Sequence, residues 1–159
     1  MRLRVSIVTI VFVFGVICEA AAQKERPAQS AECKEITARL IEATNARFDT
    51  YSALGTGVYL TSPEMFEMTL SCGTPRHIGI ALSRESGLPP NDWFTLLARA
   101  GAIVTLVDWR KLEAASRKCY RAALKAKYLV ADLYIPQARI NCQAFTRDGG
   151  ADITISMSD

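Results

Sequence analysis

The sequence has few of the residues and motifs from which catalytic and metal sites are usually built. It contains a single histidine, His77, which a Ser-His-Asp or Cys-His catalyst would have to use as its base. The P-loop, GxGxxG, HExxH and GxSxG motifs are absent, and no two cysteines have a CxxC-like spacing. The sequence therefore predicts no metal and no cofactor, and His77 is interpreted as a surface residue beside a turn.

A strong excess of charge of either sign is also lacking. Lys and Arg total 19 and Asp and Glu total 16, so the net charge is only +3. This value does not by itself indicate a nucleic-acid-binding protein. A nucleic-acid-binding surface normally has several aromatic rings among its basic residues, and Tyr120 is one of few near the most basic segment, so no nucleic-acid partner is expected.

Long apolar runs are missing beyond the N-terminal segment. The run from Val5 to Ile17 has about 13 residues, whereas a membrane-spanning helix needs about 20. Arginines precede this run and three consecutive alanines follow it, which is the pattern of a cleavable signal peptide. We predict a signal peptide over residues 1–22, cleaved between Ala22 and Gln23. The processed chain is expected to be periplasmic or extracellular, with no membrane span.

Processing would leave about 137 residues, which is the size of one ordinary domain. Residues 23–29 are polar and include Pro27, so they are predicted to be a flexible lead-in. A single domain is predicted over residues 30–159. The net charge of the whole processed chain, residues 23–159, falls to +2, because Arg2, Arg4 and Glu19 leave with the signal peptide.

Hydrophobic periodicity predicts the element order α-β-β-β-α-α-β-β-β. Helical spacing of apolar residues indicates three helices, over 30–47, from Asn91 or Asp92 to about Val104, and over 108–127. The run AIVTLV, residues 102–107, is also compatible with a strand. Alternating apolar residues indicate strands over 57–62, 65–72, 77–83, 129–135, 138–144 and 152–157.

This order predicts an α+β domain with two layers. The strands alternate cleanly between apolar and polar residues, so one face of an antiparallel sheet should be covered by helices and the other should meet water. The first three strands form a meander. The last strand is expected at an edge of the sheet.

The processed chain retains four cysteines, Cys33, Cys72, Cys119 and Cys142. An even number in an exported protein predicts two disulfides, and buried free thiols are the alternative. Two of the cysteines lie on apolar helix stripes and two on apolar strand faces, so all four should point into one layer. Helix-to-strand pairing of near neighbours then favours Cys33 with Cys72 and Cys119 with Cys142, among three possible connectivities.

The most basic segment is the last predicted helix. Seven basic and two acidic residues lie between Asp108 and Lys127, and three of the lysines repeat every seventh residue. The candidate binding residues are Arg110, Lys111, Arg117, Lys118, Arg121 and Lys125. If these basic residues share one face of the helix, that face is predicted to bind an anionic envelope component or an acidic protein. An ordinary solvated helix face is the alternative.

Paired carboxylates would support a different function, a small cell-envelope hydrolase. The available residues are Glu64, Glu67, Glu85, Asp92, Asp132 and Asp152. No spacing distinguishes any two of them. The sequence therefore favours a non-catalytic exported domain that acts by binding, with the hydrolase as the alternative.

Overall fold

The computed structural model describes residues 27–62, 67–73, 78–145 and 149–158. Within these ranges one seven-stranded antiparallel sheet has the order β1-β2-β3-β4-β7-β6-β5, and helices pack against it. The elements in chain order are a 3-10 turn (Pro27–Gln29), α1 (Ala31–Thr44), β1 (Arg47–Tyr51), β2 (Gly57–Thr61), β3 (Glu67–Cys72), β4 (Ile78–Arg84), α2 (Asn91–Thr105), α3 (Trp109–Ala123), β5 (Val130–Ile135), β6 (Ala138–Ala144) and β7 (Ala151–Met157). The predicted α+β class and its succession of helices and strands are confirmed.

One strand, β1, was not predicted. Ser30 caps α1 as expected, because its Oγ accepts a hydrogen bond from the Cys33 N–H at 3.2 Å. The helix then ends at Thr44, and Asn45 adopts the left-handed conformation with φ of 54°. The chain turns there into β1, which pairs with β2. The predicted helix extended to residue 47, whereas Arg47 and Phe48 lie on this edge strand, where Phe48 is 46% exposed.

The end of the predicted lead-in is ordered. Pro27–Gln29 form a helical turn, Ala28 is fully buried, and its N–H donates to the Gly55 carbonyl at 3.0 Å. The prediction of a flexible segment over 23–29 is therefore wrong for these residues. The predicted signal peptide and its cleavage site lie outside the described residues.

The last strand lies inside the sheet. Strand β7 pairs with β4 on one side and with β6 on the other, so Ile155 has both Ile80 and Ile140 as cross-strand neighbours. The prediction that it forms an edge is wrong, and the edges are β1 and β5. The chain enters β7 through Gly149 and Gly150, whose φ values of 75° and 107° lie in the region that favours glycine.

The two faces of the sheet differ as predicted. The face under the helices consists of buried apolar side chains, among them Leu60, Leu70, Ile80, Leu82, Ile140, Ile153 and Ile155. The other face carries partly exposed residues such as Tyr59, Thr69, Asn141 and Thr154. Helix α2 packs on β4 and β7, α3 packs on β5 and β6, and α1 packs against α2.

Helix α2 occupies the predicted range, Asn91–Thr105, but its N-cap differs from the prediction. Its N-cap is Pro90, which makes no side-chain capping bond, rather than Asn91 or Asp92. Its helical conformation continues to Thr105, so the segment that was also compatible with a strand is mostly helical. A glycine, Gly101, lets α2 approach the sheet closely, because a Cβ there would lie 2.7 Å from Cδ1 of Ile155.

Candidate functional site

Helix α3 is amphipathic, and its inner face attaches it firmly to the sheet. Asp108 caps it as predicted, because Oδ1 accepts hydrogen bonds from the N–H groups of Arg110 and Lys111 at 3.1 and 3.3 Å. Leu112 and Cys119 are buried on its inner face. The helix ends at Ala123, so the predicted extension to Lys127 is wrong, and the last residues of that segment form turns.

Both predicted disulfides are present and are confirmed. Cys119 of α3 is bonded to Cys142 of β6 with a Cα to Cα distance of 5.9 Å. Cys33 of α1 is bonded to Cys72 of β3 with a Cα to Cα distance of 6.1 Å. Each bond joins a helix to a strand across the buried layer, so none of these sulfurs is a free thiol nucleophile.

Another contact of α3 reaches the turn before β7. The hydroxyl of Tyr120 donates to the Gly150 carbonyl at 3.4 Å. Burial of this side chain raises the pKa of Tyr120 above its usual value, because the phenolate form loses its hydration. Together with the disulfide, this bond holds α3 in one position on the sheet.

The outer side of α3 carries most of the predicted cations. We define the basic face as the exposed residues Arg110, Lys111, Lys118, Arg121 and Lys125. Lys125 lies just beyond the end of the helix. In the part of the chain that the structure describes, none of these side chains forms an ion pair with a carboxylate. Arg121, in the last turn of the helix, also suits the negative end of the helix dipole.

Arg117, the remaining candidate, lies at the contact between α2 and α3. Its guanidinium forms an ion pair with Glu113 at 2.8 Å and donates to the side-chain and backbone oxygens of Asn91 at 2.7 and 2.8 Å. It also lies over the ring of Phe94, 4.7 Å from the centroid. Because these partners occupy its donors, Arg117 is not part of the basic face.

An aromatic and two arginines extend the positive surface beyond α3. The guanidinium of Arg110 lies 4.6 Å from the centroid of the Trp109 ring, and the guanidinium of Arg99 lies 5.4 Å from the same centroid. Arg99 belongs to α2, so the cluster joins two helices. Sequence reasoning missed Arg99, because only the fold brings it to Trp109.

Two of the candidate carboxylates, Asp132 and Asp152, accept hydrogen bonds from side chains of the sheet. Asp132 accepts hydrogen bonds from Arg139 at 2.9 Å and Asn141 at 3.2 Å on the open face of the sheet. This hydrogen bond and the negative charge of Asp132 raise the pKa of Arg139. Asp152 accepts from the Ser83 hydroxyl at 2.8 Å.

Three clefts among the described residues contain one carboxylate each. The first is lined by Asp92, the second by Glu32 and the third by Asp108. No observation thus favours the hydrolase alternative. In the described ranges, His, Cys, Asp and Glu side chains nowhere group in threes that could hold a metal ion.

Two of the sequence candidates, His77 and Glu64, lie outside the described residues. Among the described helices, none has both the length and the apolar composition needed to cross a bilayer.

No protein-family model, curated protein or solved structure shows significant similarity to this chain. A function for the protein therefore rests on its own residues.

Proposed function

We propose that the protein is an exported, non-catalytic binding domain, and that the basic face of α3 binds an anionic envelope component or an acidic protein. The observation that carries this proposal is the set of exposed cations on α3 that lack carboxylate partners among the described residues. Nearby cations of one sign raise the local potential, which attracts an anionic partner and orients it during approach.

The rigidity of α3 supports the proposal. The Cys119–Cys142 bond holds the helix against β6, and the Tyr120 hydrogen bond holds it against the turn before β7. The hydrogen bonds from Arg117 to Asn91 hold it against α2. The cations therefore project from a fixed backbone, so less conformational entropy is lost when a partner binds than on a flexible segment. Trp109 adds an aromatic surface beside Arg110 at one end of this face.

Export is supported by the disulfides and by the N-terminal sequence. The protein has two disulfides. Disulfides persist in oxidising compartments and are rare in the reducing cytosol. The N-terminal residues have the charged, apolar and small-residue regions of a signal peptide. Such a compartment also exposes the basic face to anionic lipids, glycans and acidic proteins.

The basic face can be tested by reversing its charge. The double variant Lys118→Glu and Arg121→Glu should weaken binding to phosphatidylglycerol vesicles or to polyglutamate at least about 10-fold at low salt. Binding is measured by cosedimentation and by fluorescence titration. The expected loss follows from two attractive charges being replaced by two repulsive ones.

The matched control reverses two exposed cations on α1, Lys34→Glu and Arg39→Glu, which changes the net charge equally. This control should bind nearly as well as the parent protein. Equal binding by the parent and by the α3 variant would remove the basic face from consideration. Equal weakening by both double variants would show a dependence on net charge only and would also contradict the proposal.

Export is tested by the intact mass of the protein recovered from outside the cytosol. The chain should begin at Gln23, and alkylation should modify its four remaining cysteines only after reduction. A cytosolic chain that retains Met1 and has freely alkylated cysteines would contradict export.

A further inference from the structure

We propose that a cleft beside the start of α2 binds a small organic anion, one that carries a carboxylate or phosphate group and an apolar part. The cleft has a volume of about 570 Å³ and lies between the end of α1, the end of β4 and the first turns of α2. This volume is typical of pockets that hold small ligands. The site is separate from the basic face.

Two arginines from different elements line the cleft. Arg84, the last residue of β4, follows Ile80 and Leu82 on the face that the helices cover, and its Nε donates to the Ser86 carbonyl at 2.9 Å. Arg99 comes from α2, and its guanidinium lies over Trp109. Neither forms an ion pair with a carboxylate that the structure describes. Guanidinium groups held by such contacts are well suited to bind carboxylate or phosphate oxygens in pairs.

The remaining charges at the cleft leave it positive. Among the described residues that line it, Asp92 is the only acidic one, and its Oδ1 accepts a hydrogen bond from the Trp93 N–H at 3.0 Å. Helix α2 begins beside the cleft, and its N-cap, Pro90, supplies no capping side chain. The positive end of the helix dipole therefore adds to the charges of Arg84 and Arg99.

Trp93 provides an apolar wall and an unused donor. Its side chain lines the cleft and is 4% exposed, and Nε1 has no hydrogen-bond acceptor among the described residues. Leu96 and Pro90 complete the apolar part. Because Nε1 itself is covered, a ligand oxygen reaches it only when the indole turns toward the cleft. Binding should therefore perturb Trp93 directly.

The test uses phenyl phosphate and benzoate as anionic probes and benzyl alcohol as a neutral probe of similar shape. The chain has two tryptophans, so a nitrogen–proton correlation spectrum shows two indole signals, and the Trp109→Phe variant assigns them. An anionic probe should shift the Trp93 signal saturably, and benzyl alcohol should not. Arg84→Gln and Arg99→Gln should each weaken the binding of the anionic probe about 10-fold.

The control is Arg39→Gln, which removes an exposed cation of α1 outside the cleft and should leave probe binding unchanged. Arg99 is exposed on a helix, so its variant keeps the test decisive even where Arg84→Gln fails to fold. The proposal is overturned when no anionic probe binds at millimolar concentration, when benzyl alcohol binds equally well, or when Arg99→Gln binds as the parent does. Reversal of Lys118 and Arg121 should not change probe binding, so this outcome is independent of the basic face.

Discussion

Two neighbouring residues of α3, Arg117 and Lys118, have opposite surroundings. Lys118 is exposed and projects from the basic face, whereas Arg117 has partners on α2 and on its own helix. The side chains of Arg117 and Glu113 are only 24% and 21% exposed, so their ion pair is less screened than one at the open surface. At the scale of the residue, Arg117 therefore contributes to packing, whereas Lys118 belongs to the face proposed to bind a partner.

This difference predicts unequal costs of truncation. Arg117→Ala should lower the free energy of unfolding by about 1–2 kcal/mol, because it removes the ion pair of Glu113, which retains the Thr95 hydroxyl as a donor, and uncovers the Phe94 ring. Lys118→Ala should change it by less than about 0.5 kcal/mol. Urea denaturation of the two variants measures both values. Equal stability of the two variants would show that the contacts of Arg117 contribute nothing.

Helix α2 lies close to strand β7 at a position where the helix has a glycine. Gly101 lies over Ile155, where an added Cβ would be 2.7 Å from Cδ1 and 3.1 Å from Cγ2. Ile155 is fully buried at the centre of the sheet, so it has little room to move. At the scale of the element, this contact sets the distance between α2 and the sheet.

Gly101→Ala should therefore destabilise the protein by about 1 kcal/mol. Overpacking costs about 1–3 kcal/mol, and the better helix propensity of alanine offsets about 1 kcal/mol of it. Thermal and urea unfolding measure the change.

Ile155→Val provides a matched partner, because it removes the Cδ1 atom that the new methyl group meets. Alone it should cost about 0.5–1.5 kcal/mol, and in the Gly101→Ala background it should cost less or nothing. Strict additivity of the two changes would contradict this account of the contact.

Elements with strong local signals were predicted, and those without were missed. Helix α3 has a regular apolar stripe and an aspartate cap, so its start was predicted correctly at Asp108. Strand β1, RFDTY, lies at an edge with mostly exposed side chains, so it lacks the alternation that identified the other strands. The position of β7 between β4 and β6 depends on how α2 and α3 cross the sheet. A local sequence pattern does not carry this information.

The two disulfides act at the scale of the whole molecule, since each joins the helical layer to the sheet. Cys33–Cys72 connects α1 to β3 over a separation of 39 residues, and Cys119–Cys142 connects α3 to β6 over 23. Each restricts the unfolded chain more than the folded one.

Removing Cys33 and Cys72 as a double alanine variant should lower the free energy of unfolding by about 4 kcal/mol on the chain-entropy model. The same change at Cys119 and Cys142 should lower it by about 3.5 kcal/mol, because the shorter loop loses less entropy on closure. Equilibrium denaturation compares these variants with the oxidised protein. The stabilising role of the disulfides would be contradicted if the free energy of unfolding were unchanged in both variants and in the parent protein after reduction.

The amino-acid sequence by itself determined the α+β class and the buried face of each predicted strand, and it favoured the cysteine pairing that the structure then showed. These follow from periodicity and spacing, which are local properties of the chain. Only the tertiary structure decided the order of the strands, the internal role of Arg117 and the meeting of Arg84 with Arg99 at one cleft. Each of these depends on contacts between residues far apart in the chain, whose partners are set by how the helices cross the sheet.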